Sequence, residues 1–261
     1  MVNDPTAMGN TMTAKSNFEF ANRVSKLVSN IAKADMHVEI SSDFTEYGRL
    51  RAEQTKDGRS VPYPMFDSTS SFVDASNGFW IAGFSKDNTL VHTQAVRMFE
   101  LGSSTLEQHL STHREKYVTP NSSPDPSRTT YNGPPAVQFI SGRICYHGDF
   151  WVRGQGLGGA RSQGLTNSLS QLLIEVAYHT WKFDSIFALL PKALAQKGVS
   201  VRYGYSHGGW GQWVGPDDQI TEEDYFVWMT GQDVSMLSRQ NYAMPDNVLF
   251  ADQNVFTKER G

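Results

Sequence analysis

The stretch that decides the fold is Gly148-Asp149-Phe150-Trp151-Val152, then Arg153-Gly154-Gln155-Gly156-Leu157-Gly158-Gly159-Ala160-Arg161-Ser162-Gln163-Gly164, then Leu165-Thr166-Asn167-Ser168-Leu169. An apolar strand, reaching back through Tyr146, Cys145 and Ile144 to Arg143, runs into a glycine-rich turn. A helix leaves that turn, read from Leu165, Leu169, Leu172, Leu173, Val176 and Ala177 at helical spacing. The first turn of a helix presents backbone N–H groups that lack a partner inside the helix, at the positive end of its dipole. Glycines ahead of it let an anion approach the backbone closely. This spacing therefore predicts a phosphate-bearing ligand held at the helix start.

Working outward, residues 1–16 read as a polar tail and residues 17–35 as an amphipathic helix carrying Phe20, Val24, Leu27, Val28 and Ile31. The apolar face of that helix predicts docking, on its own domain or on a partner. Met36 to Ile40 alternates like a strand, and Asp43 or Thr45 can cap a helix through Tyr47, Leu50 and Arg51. Residues 56–77 read as a long loop. Phe79 to Ala82 and Leu90 to Phe99, joined by Lys86-Asp87-Asn88, form a hairpin. A polar helix is expected over 103–118 and an exposed connection over 119–135, which holds Pro120, Pro124, Pro126, Pro134 and Pro135. Val137 to Ile140 reads as a strand ahead of 143–152. Phe183 to Leu190 is a buried strand, Pro191 opens a helix to about Val199, and Tyr225 to Met229 is a further strand, with Asp233 capping a last helix. Residues 36–261 are thus expected to form one domain with an insertion at 103–135. Strands with interspersed helices give an α/β (α+β) layer fold.

Two hexapeptides fit the pattern Arg/Gln-x-x-Gly-x-Gly/Ala between strand and helix: Arg153-Gly154-Gln155-Gly156-Leu157-Gly158 and Arg161-Ser162-Gln163-Gly164-Leu165-Thr166. In this the chain resembles the GNAT superfamily of N-acetyltransferases. The second match is preferred, because Leu169 falls three residues after Thr166 and opens a long apolar face, whereas Arg161 holds that place after Gly158. Thr166 stands where the family carries Gly or Ala, and the loop before Arg161 is longer than the family's.

The resemblance implies a mixed, splayed central sheet flanked by helices, here with an N-terminal helical extension. It implies acetyl-coenzyme A, or another acyl-coenzyme A, in a V-shaped split between the strand ending at Val152 and the strand Phe183 to Leu190. Backbone near Phe150, Trp151 and Val152 would meet the pantetheine arm. Arg161, Ser162, Gln163, Gly164, Leu165, Thr166 and Asn167 would hold the pyrophosphate. An amine of a small molecule or a protein would attack the thioester directly, which requires a base for the ammonium and an acid for the thiolate. Asp149 and His147, at i and i+2, are the candidate bases on one sheet face. Ser200 stands where the family carries its acidic Tyr, and Tyr203 is the nearby substitute. No metal is implied, and a homodimer stays open.

Three other readings compete. Gly154-Gln155-Gly156-Leu157-Gly158-Gly159 fits the G-x-G-x-x-G of an NAD- or FAD-dependent oxidoreductase, but no helix opens at Ala160 and the preceding elements are a hairpin. His109 and His113, at i and i+4, lack the Glu of a zinc hydrolase and read as a solvated helix face. The same fold can also bind acyl-coenzyme A without catalysing, a reading that Ser200 supports. The aromatic and glycine-rich run Tyr205 to Trp213 either walls the acceptor site or packs.

A net charge of −4, with 23 Lys+Arg against 27 Asp+Glu, argues against a nucleic-acid-binding surface. No run approaches the length of a membrane span and no leader-like segment opens the chain, so a cytoplasmic protein is expected. The one cysteine, Cys145, sits in an apolar run and is expected to pack.

Overall fold

The computed structural model describes residues 13–56, 59–117, 128–153 and 165–243. Among these, eight strands form one sheet: β1 (Met36–Ser41), β2 (Gly78–Ser85), β3 (Leu90–Glu100), β4 (Thr130–Asn132), β5 (Arg143–Val152), β6 (Ser185–Pro191), β7 (His207–Val214) and β8 (Ile220–Thr230). Their order across the sheet is β1-β2-β3-β5-β6-β8-β7-β4. Every neighbouring pair is antiparallel except β5 and β6, which run parallel. The helices are α1 (Ala14–Ala32), α2 (Phe44–Lys56), α3 (Leu106–Thr112), α4 (Leu165–Trp181), α5 (Lys192–Ala195), α6 (Val199–Tyr203) and α7 (Gly231–Ala243). This is the mixed sheet flanked by helices that the sequence implied.

The core lies in two layers, one on each face of the sheet. On one face α4 buries Leu165, Leu169, Leu172, Leu173 and Ala177 against Val96, Cys145 and Ile186 of the central strands. The helical spacing of these leucines is what drives α4 onto the sheet. On the other face, Tyr47 of α2, Leu106 and Leu110 of α3 and the short turn Pro64–Phe66 cover Trp80, Tyr146, Phe187, Trp213 and Phe226. Cys145 is fully buried, as expected, and burial pushes its thiol up in pKa.

Local chemistry sets the ends of the helices. The Thr13 hydroxyl accepts from Ser16 N–H at 3.2 Å and starts α1 three residues before the expected boundary. Asp43 caps α2 by accepting from the amides of Thr45 and Glu46. Thr105 and Gln108 make a reciprocal capping box on α3. At α7 the cap is Thr230, with Asp233 as the reciprocal acid three residues on.

The apolar face of α1 docks on its own domain. Ile31, Val24 and Leu27 pack into the α4 layer. Arg23 Nε meets Glu175 Oε2 at 3.0 Å, and Ser238 Oγ donates to Glu175 Oε1 at 2.6 Å, so one buried carboxylate ties α1, α4 and α7 together. No helix among the described residues is long and apolar enough to cross a membrane.

Several expectations need correction. Residues 137–140 do not form a strand. A 3-10 turn, Pro135–Gln138, takes their place, because the fixed φ of Pro135 suits the first position of a helical turn. The helix after Pro191 is broken at Gly198, whose φ of +71° separates α5 from α6. β4, in the insertion, extends the sheet beyond β7 with the pairs Tyr131–Trp213 and Asn132–Gln212. His109 is not on a solvated face. It is buried against Phe99, and its Nε2 lies 2.8 Å from the Tyr117 hydroxyl. Burial lowers its pKa to about 4.

Candidate active site at the split between two parallel strands

The two parallel strands part. β5 and β6 pair only through Ile144–Ser185, Cys145–Ile186 and Tyr146–Phe187. β5 nevertheless continues to Val152 on the β3 side, where His92 pairs with Val152, and β6 continues to Pro191 on the β8 side. Beyond Tyr146 and Phe187 each strand therefore keeps its outer neighbour and loses the inner one.

A bulge in β5 causes the parting. Thr93 faces Trp151 and Ala95 faces Gly148, so two steps of β3 are matched by three of β5. The extra residue bends β5 and increases its local twist. Asp149 takes the left-handed conformation at the bulge, with φ of +55°, a region open to Asp more readily than to most side chains. Its carbonyl accepts from Arg59 Nη2 at 2.9 Å and from Thr93 Oγ1 at 3.3 Å. Its carboxylate accepts from Tyr47 Oη at 2.5 Å, Arg51 Nε at 2.6 Å and Arg59 Nη2 at 2.8 Å.

The bulge also separates two residues expected on one face. Asp149 turns toward α2, into this cluster. His147 turns toward α4, where its ring nitrogens lie 3.0 Å from Tyr205 Oη and from Gln94 Oε1. Gln94 Nε2 in turn donates to the Leu169 carbonyl at 2.7 Å, so Gln94 Oε1 must accept from His147 Nε2–H. His147 Nδ1 is then left to accept from the Tyr205 hydroxyl. Burial lowers the His147 pKa to about 3. The imidazole is neutral at physiological pH and holds Tyr205 in place, and a proton acceptor that weak is poorly matched to an ammonium. Asp149 is likewise occupied, with a guanidinium on each oxygen.

At the gap itself lie Phe150, Ala188, Leu190, Tyr203 and Tyr205, with the Phe150 and Tyr203 rings 4.5 Å apart. Burial holds the Tyr203 hydroxyl protonated well above its usual range. Trp151 faces the other way, under the Arg59 guanidinium, and its carbonyl meets His92 Nδ1 at 2.6 Å. Val152 is buried in the α4 layer. Leu165 is buried, while Thr166 and Asn167 are more open, in the first turn of α4. Gly204, at φ of +75°, brings the Tyr203–Tyr205 segment onto that turn. A Cβ there would lie 2.6 Å from Gln171 Nε2 and 2.7 Å from Asn167 Nδ2. Arg161, Ser162, Gln163 and Gly164, with the rest of the glycine-rich turn, lie outside the described residues.

The face away from α4 carries groups that the sequence reading passed over. Asp224 of β8 is 3% exposed and accepts from Trp213 Nε1 at 2.9 Å. Burial first, then the neighbouring Glu222, raises its pKa to about 7. Its signal in the sequence was phase: Asp224 alternates with Phe226 and Trp228, so it is a carboxylate on an apolar face. The strand β7, from the aromatic and glycine-rich run, forms one wall of this face.

No family model and no curated protein matches the chain. Solved structures similar to it include the spermidine/spermine N-acetyltransferase SpeG from Vibrio cholerae, at 10% identity and a TM-score of 0.41, covering 80% of this chain and 98% of that one. The N-acyl amino acid synthase FeeM from uncultured soil microbes gives 7% identity and a TM-score of 0.41, over 80% of this chain and 98% of that one. The aminoglycoside acetyltransferase AAC(6')-Ib, in complex with coenzyme A and kanamycin, gives 10% identity and a TM-score of 0.41, over 77% and 98%. Likeness at this level decides nothing about chemistry, which has to come from the chain's own residues.

Proposed function

We propose that the chain transfers an acyl group, acetyl in the simplest case, from acyl-coenzyme A to an amine of a small molecule or a protein. The observation that carries this reading is the loss of β5–β6 pairing beyond Tyr146 and Phe187. Two strands that part leave inner-edge N–H and C=O groups without a ladder partner, and such an edge accepts an extended chain. A pantetheine arm is extended and carries two amides, so it can complete the ladder from within the split. Phe150 and Val152 on one side and Leu190 on the other would flank it. The first turn of α4, close to Gly204 beside the gap, would offer the amides of Leu165, Thr166 and Asn167 to the pyrophosphate together with Arg161, Ser162, Gln163 and Gly164.

In that pose the thioester lies near the bulge, whose N–H groups are aimed away from a regular ladder and would polarise its carbonyl. Tyr203, protonated by burial and packed on Phe150, would supply the proton that the departing thiolate needs. His147 would act through Tyr205 and Gln94 as a positioning residue. Asp149 would hold the bulge in shape.

A second reading, binding without turnover, draws on the occupied state of Asp149 and the weak basicity of His147. Calorimetric titration with coenzyme A and acetyl-coenzyme A tests the shared part of both. Micromolar binding by the wild type, abolished in Gly164→Trp with the melting temperature unchanged, is expected. No heat from either ligand would overturn both readings. Thiol release from acetyl-coenzyme A in the presence of amines separates them.

A further inference from the structure

Asp149 and His147 are both engaged with other groups, and among the described residues the sheet holds a further buried carboxylate on the face away from α4. Asp224 sits on β8 opposite Pro191, the last residue of β6, and opposite Gly211 of β7. Pro191 is four residues beyond Phe187, where β6 loses β5, so Asp224 is level with the open part of the split. The missing side chain at Gly211 admits the ring of Tyr131, whose hydroxyl comes into contact with the space a Cβ would fill. That hydroxyl is buried and has no hydrogen-bond partner among the described residues. A buried hydroxyl left unpaired is costly, so this one is available to a polar group of a ligand. Trp213 Nε1 occupies one oxygen of Asp224.

We propose that Asp224 takes the proton from the acceptor's ammonium, with the Tyr131 hydroxyl as a hydrogen-bond partner for the incoming nitrogen. The proposal rests on the acyl-transfer reading. The ammonium gives one proton to the Asp224 carboxylate, and the freed amine attacks the thioester carbon. The C–N bond forms, the C–S bond breaks, and a second nitrogen proton passes to the departing thiolate, directly or through Tyr203. Asp224 then returns its proton to water. One ammonium and one thioester thus give an amide, a thiol and one proton.

The charged and titratable groups facing Asp224 are Glu222 on its own strand, Tyr131 on β4 and Tyr146 on β5. Glu222 acts with burial to raise the Asp224 pKa to about 7. A carboxylate so placed can take and return a proton near neutral pH.

The test uses the full chain, acetyl-coenzyme A and methylamine, a probe small enough for any amine site, at high concentration. Wild-type kcat/KM is expected to rise with pH to a level above about 7. Asp224→Asn, which keeps an acceptor for Trp213, should lose about 100-fold in kcat and keep its affinity for coenzyme A. Tyr131→Phe should raise KM for methylamine without lowering stability, which a purely structural hydroxyl would not do. An Asp224→Asn enzyme with the wild-type rate and pH profile would overturn the proposal. So would a wild type that binds acetyl-coenzyme A yet acylates methylamine no faster than buffer does. A wild type that does not bind coenzyme A would instead remove the reading beneath it. If Asp224→Asn does not fold, the kinetics of Tyr131→Phe and the acid limb of the wild-type profile still decide.

Discussion

Asp149 and Arg51 meet at 2.6 Å, Oδ2 to Nε, beneath the bulge that opens the sheet, and neither side chain is more than 3% exposed. The contact links two levels of the structure. Asp149 is held in the left-handed conformation by what grips its carboxylate, and that conformation is what bends β5 away from β6. Removing one partner of a buried ion pair costs about 3–5 kcal/mol, because a charge is left without compensation. Arg51→Ala should therefore lower unfolding stability by that order in urea at pH 7.5. Affinity for coenzyme A should fall as the bulge relaxes. A loss below about 1 kcal/mol with unchanged affinity would show that the bulge stands without the pair.

Acid should unfold this chain early. His92 and His147 are lowered by burial from 6.5 to about 3, and His109 to about 4. Above pH 6.5 neither folded nor unfolded state binds these protons, and the groups contribute nothing. Below it the unfolded chain takes up protons that the folded one refuses, so each histidine removes about 1.4 kcal/mol of stability per pH unit. Asp224 runs the other way. It keeps its proton in the folded state below about 7, whereas unfolded it lets go down to 3.8, so stability rises as pH falls through that window. Three groups against one leave a net fall. Urea midpoints should hold level or rise slightly from pH 7.5 to 6.5 and then drop from 6.5 to 4.5, and His147→Gln should reduce that lower slope by one proton. A flat profile would mean that the histidines are hydrated.

The sequence carried those parts of the structure that are written locally. The leucine spacing after Gly164, the hairpin around Lys86-Asp87-Asn88 and the apolar run into Val152 each fix an element by periodicity, and all three are present. The bulge was out of reach. It depends on Tyr47, Arg51 and Arg59, which lie 102, 98 and 90 positions before Asp149. Simple alternation then put Asp149 and His147 on one face, and the extra residue reversed that. The run 137–140 was apolar enough for a strand, yet the pair Pro134-Pro135 decided for a turn. His109 looked solvated because Phe99 and Tyr117, which bury it, are not its helical neighbours.

Gly204 and Gly198 offer a matched pair. Both have positive φ, +75° and +71°, but a Cβ at Gly204 meets Gln171 and Asn167 while one at Gly198 meets nothing. A side chain in this conformation costs about 1–3 kcal/mol by itself. Gly198→Ala should show that cost alone. Gly204→Ala should show it together with a several-fold loss of affinity for coenzyme A, since Asn167 belongs to the first turn of α4. Equal affinities in the two variants would detach the α4 turn from ligand binding.

The two tyrosines at the gap should separate by what their hydroxyls do. Tyr205 donates to His147 Nδ1, so Tyr205→Phe leaves a buried acceptor unpaired and should cost about 1–3 kcal/mol of stability. Tyr203 packs its ring on Phe150, and Tyr203→Phe preserves that contact. If its hydroxyl protonates the departing thiolate, kcat should fall about 100-fold with no change in affinity for coenzyme A and little in stability. Steady-state thiol release and urea denaturation on both variants measure the two effects side by side. A rate loss confined to Tyr205→Phe would move the acid by two residues, to the hydroxyl held by His147 Nδ1.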